Sequence, residues 1–564
     1  GGVPTAFFVT EGFADLLVIG DQTRPDLFTL RVRKAQPLHA RVVEVCERLD
    51  AAGKVLTPLD LDALRAHARE TLEAGITVAA VALMHAWRNP EHEHLVRDAL
   101  LDLGFTHVSV SSELSATIGF LARAETAVVN AFLSPVIDDY LDRVQQPMGG
   151  GMDAQPGGWK APAPEGKSPT PAQEGGLSSP QVQHASLLIM TSAGSLIDRA
   201  GFAPKDSLLS GPAGGVVGAA EAGRRAGFDR VITFDMGGTS TDCARCEGTP
   251  ERLYQTRVGE ARIVAPCVAV ETVAAGGGSV CTIAHSELRV GPESAGADPG
   301  PACYGRGGPL TITDCNLLLG RLDPAHFAIP LDENAARARA QTTLTHARTQ
   351  LDPSLTLDTL LMGFLDLANQ RMAEAIRRIT LRKGHDPAEH AMVAFGGAGP
   401  QHACAIAETL GIEHVIVPPD AGLLSAFGLG VSAVERVAEE QILQPLGKVQ
   451  HTIAARLDRL TLQACLALAG ETPAPVGEDG SSVVGVSPAL HPTLELRVLG
   501  QDDLIELEAE PLATLTSRFF ERYRARFGYT PADTSLELVT LRVTATLHPP
   551  QPSGVGISGA GVSP

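Results

Sequence analysis

The run Asp235-Met-Gly-Gly-Thr-Ser-Thr-Asp242 constrains the fold of this chain more than any other stretch. It begins at the end of VITFD (231–235), a buried-strand signal, and leads into a second strand-like run. Two adjacent glycines after a strand let the backbone turn tightly and bare its N–H groups, which can cradle phosphate oxygens. The hydroxyls of Thr239, Ser240 and Thr241 add donors, and Asp235 at the strand end is placed to hold Mg²⁺ or to orient a water. No G-K-[ST] follows and no helix begins directly after the turn, so this is not a Walker loop. The plainer alternative is a hairpin turn with no ligand; the flanking Asp, Thr and Asp favour phosphate.

Around this hairpin, strand and helix signals alternate. Within 1–146, strands are expected at Ala6 to Thr10, Thr77 to Leu83 and His107 to Ser111, and a helix at Glu91 to Leu103. That alternation predicts α/β architecture. The segment 147–185 breaks it: fifteen of the 35 residues 147–181 are Gly or Pro, so a flexible insertion is expected there. The span 186–445 resumes with SLLIM (186–190), SGPAGG (210–215) leading into a small-residue helix, and a long amphipathic helix over 357–383 stopped by Gly384. The strand AMVAF (391–395), a helix from near Gln401 and the strand HVIVP (414–418) follow. Residues 446–548 read as a small α+β domain, with strands TLELRVL (493–499), LIELE (504–508) and LELVTLRVTATL (536–547) and a helix around Phe519 to Phe527. The tail 549–564 reads as disordered or as a linker.

Bulk properties exclude several partners. A formal charge of -20 over 564 residues repels a phosphate backbone, so no nucleic acid is expected. The longest apolar run, Ile76 to Met84, is far shorter than the ~20 residues that cross a bilayer, so no membrane is expected. Nine cysteines in a chain of this length suggest reduced thiols rather than a disulfide framework, and cytoplasm is the default compartment. Cys243 and Cys246 form a C-x-x-C with no second pair at zinc-site spacing. The chain opens at Gly1 with no Met and runs at once into a strand signal, as expected of a piece of a longer protein.

Two further glycine runs carry possible chemistry. Ala275-Gly276-Gly277-Gly278-Ser279 breaks a strand pattern, which is costly unless something approaches the backbone closely; a flexible hairpin tip is the alternative. Phe395-Gly396-Gly397-Ala398-Gly399-Pro400 links a buried strand to a helix, which suits a nucleotide across a helix N-terminus or simply strand–helix packing. The loop 291–305 presents Glu293, Asp298 and Cys303 on a Gly/Pro-rich frame. It suits acid–base or metal chemistry, or an ordered surface loop with solvated charges. The candidate catalytic set is thus Asp235, Asp242, Glu293 and Asp298, with Asp235 the candidate metal ligand. The candidate cofactor-binding set is Gly237, Gly238, Thr239, Ser240, Gly276, Gly277, Gly278, Gly396, Gly397 and Gly399. His85, His285, His385 and His402 are scattered without metal-site spacing and read as structural.

Taken together, RPDLFTL (24–30), GFTHVSVSSE (104–113), LSGPAGGVVG (209–218), FDMGGTSTD (234–242), TVAAGGGS (272–279), VGPESAGADPGPACYG (290–305), TDCNLLLGRL (313–322) and FGGAGPQHACAIA (395–407) resemble the hydantoinase A/5-oxoprolinase family. Their wording is most similar to 5-oxoprolinases. The resemblance implies an actin-like ATPase fold of ribonuclease H-like domains that bind ATP and Mg²⁺. Asp235 to Asp242 would then be the second phosphate loop and Phe395 to Pro400 the adenosine-side loop. It implies phosphorylation of the amide oxygen of a cyclic lactam, foremost 5-oxo-L-proline, with a hydantoinase B-type subunit or fused domain completing hydrolysis in an oligomeric enzyme. Hydantoinase and acetone-carboxylase-type subunits, and a non-enzymatic actin-like ATPase module, are the alternatives. Three departures stand out: the family's opening DxGGTxTD hairpin is not in this chain, the 147–181 insertion is foreign to the pattern, and the C-terminal domain matches only loosely.

Overall fold

The computed structural model describes residues 2–21, 34, 36–115, 117–149, 187–259, 261–469, 487–501, 503–531 and 535–548. The RPDLFTL stretch, the tail from 549 and, from residue 150 on, the Gly/Pro-rich span to 185 lie outside them.

The first unit is a parallel sheet. Strands β1 (Thr5–Thr10), β2 (Arg41–Val45), β3 (Val78–Ala82) and β4 (His107–Val110) lie in the order β2-β1-β3-β4, all parallel. Helices α1 (Leu61–Glu73) and α2 (Glu91–Leu103) cover one face, and α3 (Phe120–Gly149) covers the other. Because side chains alternate along a strand, Ala6 and Phe8 meet α1 and α2 while Phe7 and Val9 meet Ala124, Ala127 and Val128 of α3. A sheet covered on both faces demands continuous apolar strands, which is why β1 and β3 read as unbroken runs. Helix α3 is long and apolar enough to span a bilayer, yet 56% of that window is buried, much of it against the sheet.

A buried ion pair fastens α3 to the carboxyl ends of these strands. Glu93 accepts from the Leu83 N–H (2.7 Å), the Ser111 hydroxyl (2.6 Å) and the Ser112 N–H (2.9 Å). Arg123 stands 3.7 Å from Glu93 and donates to Ser111 Oγ and the Leu83 carbonyl. Both side chains are wholly buried, and a buried pair is tolerable only when such additional bonds satisfy it.

After residue 186 comes a short hairpin, β5 (Leu188–Met190) and β6 (Leu196–Asp198), and then α4 (Ser210–Arg225). The second sheet is built from β7 (Arg230–Met236), β8 (Thr241–Glu247), β9 (Val270–Val273), β12 (Ala391–Phe395) and β13 (Val415–Ile416), with β10 (Ser279–Ala284) and β11 (Glu287–Ser294) forming a hairpin beside it. Its order is β9-β8-β7-β12-β13, with the short strand Thr249–Pro250 also pairing with the end of β8, β8 antiparallel to its neighbours and β12 and β13 parallel to β7. This is the ribonuclease H-like arrangement that the resemblance implies. One face carries α5 (Ile312–Leu318), α6 (Glu333–Gln350), α7 (Leu357–Ile379) and α8 (Gly399–Leu410); the other carries α4 and α9 (Leu424–Val431). Helix α7 buries the whole predicted stripe from Leu361 to Ile379. It ends four residues before the expected 383, passing through a short 3₁₀ turn to Gly384 at φ 83°.

The glycines of SGPAGG, expected ahead of a helix, are its first turns. They let two helices touch backbone to backbone. A Cβ on Gly218 would lie 2.4 Å from the Leu424 carbonyl oxygen, and one on Gly428 only 1.9 Å from that of Gly214.

The third sheet spans the chain. Strands β14 (Val434–Pro445), β15 (Ala489–Val498), β16 (Ile505–Glu508) and β17 (Leu536–Leu547) join β5 and β6 in the order β16-β15-β17-β14-β6-β5. Helices α10 (Ile453–Ala469) and α11 (Leu512–Phe527) belong to this unit. The boundary expected at 445/446 falls at the end of β14, whose partner along its length is β17, and the sheet reaches back to residue 188. Composition along a chain does not reveal such non-local pairing.

Gly428→Ala should therefore lower stability by about 3 kcal/mol or more, since neither helix backbone can yield to a methyl group. Gly430→Ala, at a position with open space, should be neutral or slightly stabilising. Urea denaturation midpoints of the two variants check both outcomes.

Candidate active site

Strand β7, central in the second sheet, delivers Asp235 to its carboxyl end, and the hairpin returns through β8 so that Asp235 and Asp242 are direct cross-strand partners. Two carboxylates opposite each other in a partly buried ladder raise each other's affinity for protons. Burial first and the charge of Asp242 second push Asp235 up from 3.8 to about 6. Burial also raises Asp242, opposed by the Thr272 hydroxyl, which donates to its Oδ1 at 2.6 Å.

The turn between them points outward. Gly237 N–H closes it on the Ser240 carbonyl (3.1 Å), and a Cβ on Gly237 or Gly238 would meet no atom within 4 Å. The amides of Gly238, Thr239 and Ser240 donate to no protein oxygen among the described residues.

Gly276, Gly277 and Gly278 lie between β9 and β10, and the close approach their composition predicts is made by the hairpin itself. The Gly277 and Gly278 N–H groups donate to the Gly237 and Gly238 carbonyls (3.0 and 2.6 Å). A Cβ on Gly276 would sit 2.7 Å from the Thr239 backbone, and one on Gly278 2.9 Å from the Gly238 oxygen.

The third segment closes the other side. Ala398 N–H donates to the Met236 carbonyl (2.9 Å). Gly396, at φ 77°, passes so close to Asp235 that a Cβ there would lie 2.3 Å from its Oδ1. Gly397 is open, and Gly399 begins α8, whose N-terminus has no side-chain cap. All the candidate cofactor-binding residues thus fall on three touching segments around Asp235.

Glu293 and Asp298 sit differently. Glu293 is near the end of β11, which docks on the glycine loop through Ala295 N–H to the Gly278 carbonyl (2.8 Å). Both carboxylates are exposed, with no side-chain hydrogen bond or ion pair among the described residues. Burial drives the Cys303 thiol far up, which closes it as a nucleophile. Cys243 and Cys246 lie on opposite faces of β8, in separate cores, so they cannot share a zinc ion.

Sequence reasoning missed the residues that brace the site. Thr313 donates to the Gly277 carbonyl through both its N–H (2.8 Å) and its hydroxyl (2.9 Å). Thr241, whose hydroxyl was expected to face phosphate, is instead wholly buried and donates to the Ala275 carbonyl (2.5 Å), which leaves only the hydroxyls of Thr239 and Ser240 at the turn. Buried Asp314 accepts from the N–H groups of Ala302 (3.1 Å), Cys303 (2.7 Å) and Thr311 (2.8 Å) and from the Thr311 hydroxyl (2.9 Å). The signal was available: Thr311-x-x-Asp314 is a capping box opening α5.

With this geometry in hand, the comparisons with known proteins are unambiguous about kinship. Residues 123–438 match the family described as Hydantoinase/oxoprolinase, and residues 1–104 match its N-terminal region. The chain belongs to the hydantoinase/oxoprolinase family. It is 38% identical over 473 residues to 5-oxoprolinase 1 of Arabidopsis thaliana, covering 78% of this chain and 35% of that one. It is 36% identical over 490 residues to the 5-oxoprolinase of Saccharomyces cerevisiae, covering 79% and 35%. The chain thus spans about a third of the length of these relatives. Among solved structures, ATP-dependent caprolactamase from Pseudomonas jessenii superposes with a TM-score of 0.78 at 26% identity, covering 98% of this chain and 77% of that one. Nucleotide-free acetone carboxylase has the same fold, with a TM-score of 0.67 at 22% identity over 97% and 76%.

The carboxylate pair makes a testable demand on stability. A carboxyl group that holds its proton more tightly when folded stabilises the fold fully below its unfolded pKa. Asp235 loses that contribution as the pH rises through about 6. Asp235→Asn should therefore make the chelator-treated protein more stable at pH 7, by about 1–2 kcal/mol, and indistinguishable from wild type near pH 4. Urea denaturation at both pH values measures this.

Proposed function

We propose that the chain is the ATP-using part of a ring-opening cyclic amidohydrolase whose substrate is a lactam, foremost 5-oxo-L-proline, converted to L-glutamate. One observation carries the reading: a carboxylate pair, Asp235 and Asp242, stands beside a turn whose outward amides have no protein acceptor. Unsatisfied N–H groups at Gly238, Thr239 and Ser240, with the uncapped N-terminus of α8, suit phosphate oxygens. Two facing carboxylates are costly to keep ionised together unless a cation joins them, which suits a Mg²⁺ ion carried in with a nucleotide.

Bound MgATP supplies the phosphoryl group that turns a poor amide oxygen into a leaving group. The chain's own residues do the positioning. Gly238, Thr239 and Ser240 offer outward N–H donors to phosphate oxygens, and Asp235 and Asp242 are the residues that would hold the metal. Glu293 and Asp298, exposed on the segment that docks on the glycine loop through Ala295, are proposed for acid–base duty towards the ring. The choice of lactam is supported by relatives named 5-oxoprolinase at 36–38% identity. The caprolactamase subunit alpha of Pseudomonas jessenii, at 30% identity, is named for a different lactam, which supports a cyclic amide as the substrate class. That subunit's designation, and the 35% of the 5-oxoprolinases that this chain covers, support a partner subunit or fused domain of hydantoinase B type.

Asp235→Asn in the complete enzyme should lower lactam-dependent ATP turnover by about 10²–10³ in kcat while circular dichroism stays unchanged. Near-normal turnover with 5-oxo-L-proline in the folded variant would overturn the assignment of Asp235.

A further inference from the structure

Each of the three glycine segments is braced by a different helix. The hairpin is braced by α7, whose Met372 packs in one core with Phe234, Met236 and Cys243 and brings its sulfur to 3.4 Å from Thr241 Oγ1. The 276–278 loop is braced by α5 through the two bonds from Thr313 to the Gly277 carbonyl. The 396–399 segment runs directly into α8. One side chain joins all three helices. His402, in the second turn of α8, is wholly buried. Its Nδ1 lies 2.8 Å from Asn369 Oδ1 on α7, one turn from Met372, and its Nε2 lies 3.2 Å from Asn316 Nδ2 on α5, one turn from Thr313.

Asn369 presents its amide oxygen to Nδ1 and Asn316 its amide nitrogen to Nε2. An amide oxygen only accepts and an amide nitrogen only donates, so Nδ1 carries the proton and Nε2 is bare. The imidazole is then neutral, in agreement with burial pushing it down to about 4. Neither asparagine can be replaced by an apolar residue without orphaning a ring nitrogen in a dry core, where an unmade bond is expensive. The remaining oxygen of Asn316 has no partner, so the joint is already under-satisfied on one side.

We infer that His402 is a positioning residue: as a neutral, Nδ1-protonated joint between α5, α7 and α8 it sets the spacing of the three glycine segments around Asp235. It touches neither the hairpin nor the carboxylates by any hydrogen bond and acts through the helices. Its bearing on turnover rests on the function proposed above; its bearing on the loops does not.

Hydrogen–deuterium exchange of the whole protein separates the two. In His402→Leu and Asn369→Leu, peptides covering 272–280 and 396–402 should exchange about ten- to a hundredfold faster than in wild type. Peptides from β3 and β17 should be unchanged. His402→Gln offers an N–H to Asn369 and a carbonyl to Asn316, so it should restore slow exchange. If His402→Leu does not fold, Asn369→Leu against His402→Gln gives the same contrast. Equal exchange in the Leu and Gln variants, or acceleration spread evenly over the protein, would overturn the inference. In the turnover assay, the Leu variants should lose kcat with little change in the lactam KM, and His402→Gln should recover it. A wild-type protein without lactam-dependent ATP turnover would instead refute the proposed function and leave the exchange result to decide the joint.

Discussion

The second unit depends on backbone meeting backbone. The amides of Gly277 and Gly278 reach the carbonyls of Gly237 and Gly238, a contact that a side chain at 276 or 278 would block, while one at 277 would strike the Thr313 hydroxyl. Glycine is a poor strand former and loses more entropy on ordering than other residues, so three in a row require a reason. Here the reason is geometric. Docking the loop on the hairpin uses the inward carbonyls of Gly237 and Gly238 and leaves the outward amides of the tip free. Gly396 repeats the principle on the other side, since only a residue without Cβ passes beside Asp235.

The same compactness sets the electrostatics. Apolar cores fill both faces of the second sheet behind the carboxylates, and the ladder holds Asp235 opposite Asp242 with no basic side chain paired to either among the described residues. A fold selected for stability alone would place a lysine or an apolar residue there. An acidic pair without a cationic partner among the described residues, at the carboxyl end of a central strand, is better understood as a place prepared for a cation and an anion together, its cost offset by the packing behind it. The network of His402, Asn316 and Asn369 extends that preparation inward, linking the helices that carry the three segments.

Much of this was legible in the sequence because it rests on local signals. Periodicity marked α7, alternation and apolar runs marked β1, β3, β12 and β17, and the helix Glu91–Leu103 ends at a glycine in the left-handed conformation, as such helices do. The candidate glycines were visible for the same reason. What escaped was non-local. Nothing in SGPAGG states that another glycine helix lies against it, because the partner at Leu424 to Gly428 is more than 200 residues away. The third sheet, which pairs β14 with β17 and reaches back to β5, was hidden in the same way. His402 read as an ordinary structural histidine because its two asparagines arrive on separate helices. Thr313 was quoted inside a motif, but its bonds to Gly277 emerge only when α5 is seen beside the loop.

The central claim is that Asp235 and Asp242 receive a metal–nucleotide complex, and proton release tests it most directly. Asp235 is held near half-protonated at about pH 6, so a cation bound there must displace its proton. Calorimetric titration of MgATP at pH 6, in buffers of different ionisation enthalpy, should show about half a proton released on binding, and Asp235→Asn should abolish that release. Tight binding with no proton release, or the same release in the variant, would contradict the account.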